Sequence, residues 1–231
     1  MELVDRGDVC LDIGANIGYM TSLLSTRTGS AGRVFSFEPH PRLFTCLKGN
    51  LECFSNSSRI VALENAIGAA DGMAELAEPV GFEENEGTAS VLPAFVGRDN
   101  AGVKHKVTIR RLDSIFSNDE SFGVVKIDVE GAELNVLRGA RRLLSAKSIR
   151  DIIWEDQNIF PSESVNLLSG HGYKIYQFSK RIFGPAIWDP FTVQGDRPSL
   201  AWETMNFLAT LEPARATRRL GPRGWRCLMP A

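Results

Sequence analysis

Short apolar runs alternating with helical patterns constrain this chain more than any other feature of its sequence. Val9–Ile13, Arg33–Phe37, Ile60–Leu63 and Val124–Ile127 are brief runs rich in β-branched and aromatic residues, with little polar interruption. Strands buried on both faces read this way. Between them, Tyr19–Thr26 reads as a helix opening after Gly18. Pro41–Phe54 sets Leu43, Phe44, Leu47, Leu51 and Phe54 at helical spacing behind a first-turn proline. Glu133–Leu144 places Leu134, Leu137 and Leu144 on one helical face. Ile149–Trp154 then reads as a strand and Glu163–His171 as a helix ended by Gly172. Tyr173–Phe178 and Asn206–Ala209 supply two late strands. The span from Gly72 to Leu112 lacks helical period, so Met73–Pro79, Thr88–Leu92 and Val103–Arg110 read as antiparallel ribbons. The alternation predicts an α/β fold, a mostly parallel sheet covered by helices on both faces.

Such sheets bind ligands outside the carboxyl ends of their strands, near the switch in strand order. Three segments follow strands that end there: those after Ile13, Phe37 and Ile127. The first, Asp12-Ile13-Gly14-Ala15-Asn16-Ile17-Gly18-Tyr19, lets backbone approach a ligand before a helix starts. A dinucleotide fingerprint wants glycines at 14, 16 and 19. This chain has Asn16 and Tyr19 at two of them, and Asp12 is a poor neighbour for a pyrophosphate. A cofactor with positive charge and no phosphate fits better, and S-adenosylmethionine is one. The second segment opens with Glu38-Pro39, where a carboxylate is placed to accept bonds from both ribose hydroxyls. Capping acids at ordinary strand–turn–helix joints are the plain alternative.

Composition narrows the field. Of 231 residues, 26 are Lys or Arg and 28 Asp or Glu, so a net charge of −2 gives no general reason to expect a nucleic-acid partner. No apolar run approaches the roughly 18 residues of a spanning helix. The start, Met1-Glu2-Leu3-Val4-Asp5, has neither part of a secretory signal. The four cysteines (10, 46, 53 and 227) include no CxxC pair. A cytoplasmic domain is expected. The charge is uneven: residues 213–231 carry five Arg and no acid, making them +5 and residues 1–212 −7. With Pro213, Gly221, Pro222, Gly224 and Pro230, this tail is expected to form no regular element of any length. It reads as a solvated terminus or as a basic arm for an anionic partner. Ala70–Gly87 carries Asp71, Glu75, Glu78, Glu83, Glu84 and Glu86 and no base, as a solvated loop or hairpin edge would.

Three motifs in order, Asp12–Gly18, Phe37-Glu38-Pro39 and Lys126-Ile127-Asp128-Val129-Glu130-Gly131-Ala132-Glu133, resemble the FkbM-type family of S-adenosylmethionine-dependent methyltransferases. Ile153-Trp154-Glu155 also matches that pattern, and the resemblance covers roughly residues 8–210. It implies a Rossmann-like class I methyltransferase domain over 1–212, with an antiparallel C-terminal strand. The implied activity is methyl transfer, typically to a hydroxyl of a sugar, glycan or secondary metabolite. By the resemblance, Asp12, Gly14, Ala15, Asn16 and Gly18 wrap the methionine part of the cofactor. Glu38 holds the ribose, and Asn65 and Ala66 lie on the adenine side. Proteins of that family usually carry an extra N-terminal segment that helps cover the site, and here almost nothing precedes Val9.

Asp128 and Glu130, after the fourth strand, are candidate bases or hydroxyl-orienting groups, and burial would have to raise their pKa. Alternatively, Asp128 binds the cofactor amine and Glu130 and Glu133 cap the next helix. Glu155 joins them as a candidate catalytic acid. Asp128 with Glu155-Asp156 also has the donors of a Mg²⁺ site, although solvated or substrate-binding acids are the favoured reading. His40, just after Glu38-Pro39, reads as a surface helix-start residue, with a base near the cofactor mouth as the alternative, and His105 and His171 carry no motif. Loops 79–102 and 156–162 and the Phe183–Phe191 stretch are expected on the acceptor side. A catalytically inactive domain of the same fold, used for binding, is the alternative; a nicotinamide oxidoreductase is a distant third.

Overall fold

A computed structural model describes residues 2–54, 56, 59–79, 101–117, 119–181, 184–192 and 205–220. The chain opens with strand β1 (Val9–Ile13), helix α1 (Tyr19–Thr28), β2 (Arg33–Phe37), α2 (Pro41–Leu51) and β3 (Ile60–Leu63). Then come β4 (Ala66–Ile67), β5 (Gly72–Pro79), β6 (Ala101–Arg110), α3 (Leu112–Ile115) and β7 (Phe122–Ile127). The second half runs α4 (Glu133–Arg138), α5 (Arg141–Ser145), β8 (Ile149–Asp156), α6 (Glu163–Gly170) and β9 (Lys174–Arg181). It finishes with β10 (Gly184–Trp188), β11 (Met205–Thr210) and α7 (Pro213–Leu220).

Eight strands form one sheet in the order β10-β9-β11-β8-β7-β1-β2-β3. β3, β2, β1, β7 and β8 are parallel, and β11 inserts antiparallel between β8 and β9. Consecutive residues bury into opposite layers, which is why the central strands are mostly apolar. Leu11 and Val125 belong to a core with Val136, Leu137, Leu143, Leu144 and Leu168 of α4, α5 and α6. Their neighbours Cys10 and Val124 pack with Leu24 of α1 and with Ala216 and Leu220 of α7. Helices therefore cover both faces. A second sheet, ordered β4-β6-β5, stands apart as a ribbon with β5 and β6 antiparallel. Among the described residues no helix is long and apolar enough to cross a membrane.

Three expectations change. The helix expected over Glu133–Leu144 is two helices broken at Gly139-Ala140. The Asp113 carboxylate enters the break, accepting from Arg142 N (2.9 Å) and Leu143 N (3.2 Å), while Asp113 N donates to Gly139 O (3.0 Å). A side chain inserted into the backbone ladder breaks a helix in this way. The Arg-rich segment is not irregular: residues 213–220 form α7, with proline at its start. Its Arg215 reaches Asp151 (2.9 Å) and Asp5 (2.6 Å), so these positive charges are spent inside the fold. α2 stops at Leu51, and the chain to Phe54 closes in tight turns (Cys53 N to Asn50 O, Phe54 N to Leu51 O). Thr88–Leu92 and residues 221–231 lie outside the described residues. Within Phe183–Phe191, placed on the acceptor side from sequence, Gly184–Trp188 is the outer strand β10.

Candidate active site

β1 lies between β2 and β7, and the chain's progress across the sheet reverses there. The carboxyl ends of these three strands meet in a corner made of main chain. Gly14 N and Ala15 N both donate to Phe37 O (3.0 Å each), and Asp128 N donates to Ile13 O (3.0 Å). Gly14 has φ +77°, and a Cβ there would lie 1.8 Å from the carbonyl oxygen of Asp128. Only glycine fits on both counts. Asn16 also has positive φ (50°), and its Oδ1 accepts from Ile17 N (2.7 Å). Gly18 (φ +95°) starts α1 where a Cβ would meet Leu47 of α2 at 2.7 Å.

Glu38 follows β2 and is nearly buried. Its Oε2 accepts from Asn16 N (2.8 Å) and its Oε1 from His40 N (2.9 Å). Burial pushes its carboxyl above the ordinary range, against the pull of these donors. Asp12 sits beneath the turn, fully buried: Oδ2 accepts from Thr21 Oγ1 (2.6 Å), and Lys126 Nζ lies 3.4 Å from Oδ1. Burial raises its pKa too. The Lys126 ammonium also donates to Gly14 O (2.9 Å) and lies 3.4 Å from Asp128 Oδ2. Lys126, unassigned from sequence, thus ties the turn to the third motif.

These groups border a cavity of about 700 Å³, the size of a small-ligand site. Gly14, Ala15, Asn16, Glu38, Asn65, Ala66, Asp128 and Glu130 all line it. Ala74 and Leu76 of β5, Ile109 of β6 and Lys126 of β7 also line it. Of the sequence-derived cofactor residues, Asp12 and Gly18 do not line it. They support the turn from below and behind.

The acids beyond β7 differ sharply in surroundings. Asp128 is about half exposed. Glu130 has φ 52°, and its carboxyl is pushed up to about 7 by burial first and then by the charges of Asp128, Glu155 and Glu133. Glu133 turns back to accept from Val129 N (3.2 Å) and Gly131 N (3.1 Å), fixing the loop as a helix-start acid. At the end of β8 the paired acids part. Glu155 accepts from Gln157 Nε2 (3.3 Å) and acts on Glu130 through its charge. Asp156 points inward, taking bonds from Asn158 N (3.0 Å) and the Ser162 hydroxyl (2.5 Å). Asp128, Glu155 and Asp156 are not gathered around one point. Among the described residues, the cluster with metal-holding spacing is His40, Glu78 and His105. His40 is buried rather than at the surface, and its Nε2 meets Glu78 Oε1 at 2.6 Å. Sequence reading missed this trio, whose signal is the period-two run Ala74, Leu76, Glu78 aimed at the cavity side.

The mostly parallel sheet, with a glycine turn and a buried carboxylate at the switch in strand order and an antiparallel C-terminal strand, has the Rossmann-like class I methyltransferase architecture. The chain belongs to the FkbM methyltransferase family: the family model for the methyltransferase FkbM domain matches residues 12–175. It is 30% identical over 174 residues to the hexuronic acid methyltransferase AglP of Haloferax volcanii, covering 73% of this chain and 64% of AglP. It is 26% identical over 193 residues to the 31-O-demethyl-FK506 methyltransferase FkbM of Streptomyces tacrolimicus, covering 73% of this chain and 74% of that protein. The crystal structure of methyltransferase FkbM from Methylobacillus flagellatus shares the fold, with a TM-score of 0.55 at 20% identity, covering 87% of this chain and 43% of that one.

Proposed function

We propose that this chain is an S-adenosylmethionine-dependent methyltransferase that methylates a hydroxyl of a sugar, glycan or secondary metabolite. Glu38 carries the reading. It is a nearly buried carboxylate on the cavity wall with one backbone N–H on each oxygen. Each oxygen retains a lone pair, the complement of two ribose hydroxyls. Gly14, Ala15 and Asn16 offer close main-chain approach to the methionine part, and Asn65 and Ala66 border the adenine side. The carboxylates of Glu38, Asp128 and Glu130 would repel a pyrophosphate and suit a cationic cofactor.

When bound, S-adenosylmethionine supplies an electrophilic methyl on a sulfonium centre. The chain's own contribution is positioning and proton removal. The main-chain corner fixes the line of approach, which is a large part of catalysis in a direct displacement. Glu130, with a pKa near 7, accepts the acceptor hydroxyl's proton as the new O–CH3 bond forms. Asp128, on the same wall, orients that hydroxyl or the cofactor's ammonium. Glu155 keeps Glu130 basic through its charge. The relatives named for a hexuronic acid and for 31-O-demethyl-FK506 support an oxygen acceptor. The test is a screen for S-adenosylhomocysteine release over hydroxylated small molecules, glycans and glycolipids, with Asp128→Asn as control. If calorimetry finds no S-adenosylmethionine binding and Glu38→Ala changes nothing, the reading is overturned.

A further inference from the structure

The ribbon β5–β6 turns one face toward the cavity. Ala74 and Leu76 lie two residues apart on β5, with Val107 and His105 directly opposite them on β6. Residues with this spacing share a face. Ala74, Leu76 and Ile109 of that face line the cavity. Glu78 follows Leu76 on the same face, beside His105, and there the ribbon meets His40. Glu78 Oε1 receives His40 Nε2 at 2.6 Å and His105 Nε2 at 2.8 Å, and the two imidazole rings lie 4.9 Å apart.

His40 connects this contact to the ribose acid. Its main-chain N–H donates to Glu38 Oε1 (2.9 Å), and its ring Nδ1 accepts from Arg42 N (3.2 Å) and Leu43 N (3.4 Å) at the start of α2. With Nδ1 facing two N–H donors, the neutral ring carries its proton on Nε2 and donates it to Glu78. A metal ion at His40 would need the opposite tautomer, a proton on Nδ1 pointing at backbone N–H groups. The trio therefore reads as a hydrogen-bonded clamp, although its residue types would suit zinc.

We propose that Glu78 and His105 are positioning residues for the cofactor: through His40 they pin the ribbon to the ribose-binding corner and set cofactor affinity without touching it. The inference rests on the assignment of Glu38 to the ribose. Both imidazoles use one oxygen of Glu78, so a glutamine amide oxygen can accept both bonds, whereas alanine accepts neither.

The experiment is calorimetric titration of the full chain with S-adenosylhomocysteine. Glu78→Ala and His105→Leu are expected to weaken binding about tenfold, the loss of one or two hydrogen bonds. Glu78→Gln is expected to restore most of the affinity lost in Glu78→Ala. In a double-mutant cycle with Glu38→Gln, Glu78→Ala should add little, because its effect passes through Glu38. His40→Asn keeps the helix cap and loses the Nε2 donor, so it should match Glu78→Ala. If the wild type binds and Glu78→Ala binds equally well, the clamp is overturned. Full additivity with Glu38→Gln overturns it too, as does stoichiometric zinc that disappears in Glu78→Gln. If the wild type itself fails to bind, the ribose assignment fails instead.

Discussion

The α-carbon of Gly14 faces the carbonyl oxygen of Asp128 so closely that a methyl group there would overlap it, at 1.8 Å. The first and third motifs, far apart in sequence, are thus in main-chain contact. Gly14→Ala adds this overlap to the strain of a side chain at φ +77°. We expect it to cost about 3 kcal/mol or more in chemical denaturation and to abolish cofactor binding.

Glu38→Gln keeps the size of the side chain and removes its charge. The amide nitrogen accepts no bond, so either Asn16 N or His40 N is left facing another donor and one ribose hydroxyl loses its acceptor. We expect S-adenosylhomocysteine binding to fall by ten- to a hundredfold by calorimetry, about 1.4–3 kcal/mol. An unchanged affinity would remove Glu38 from the cofactor site.

Glu130 should impose a pH profile. Its carboxyl sits at about 7 against an ordinary 4.5, so methyl transfer should rise with pH to about 7 and then level. Glu130→Gln should lower the rate by a hundredfold or more and flatten this rise. A raised folded-state pKa means stability is lost as pH climbs from the unfolded value through the folded one. Glu130→Gln should therefore melt higher than the wild type at pH 8, with the difference gone near pH 4. A flat wild-type profile through this range would exclude Glu130 as the base.

Arg215 and Arg150 converge on Asp151, which is fully buried and also accepts from Thr210 Oγ1 (2.6 Å). Asp151→Asn leaves two guanidinium groups short of their counter-charge. We expect a loss of about 3 kcal/mol in denaturant midpoint experiments. Ending the chain after Glu212 should destabilise it further, since Ala216 and Leu220 leave the core with α7.

How much of this was legible depends on the range of the interactions. β1, β2, β3 and the glycine turn are readable because their signals are local: continuous apolar strands, one glycine, one acid. The two-piece helix was not, because the carboxylate that splits it belongs to Asp113 on α3. α7 was misread because Arg215 and Arg219 look like solvent charges until Asp5 and Asp151 are placed beside them. In the site, the cavity wall at Gly14, Asn16, Glu38 and Glu130 followed from motif order. The resemblance puts Asp12 at the cofactor, whereas its side chain lies fully buried under the turn, bonded to Thr21, and does not line the cavity. His105 gave no signal, since its meaning comes from Glu78 across the ribbon and His40 on another element.

The corner at the ends of β1, β2 and β7 is held mainly by peptide groups: Gly14 N and Ala15 N on Phe37 O, Asp128 N on Ile13 O, Glu38 N on Leu63 O. Such a frame is indifferent to most side-chain replacement and intolerant of any slip in strand register. Side chains around the cavity can therefore be replaced while this main-chain corner keeps its shape.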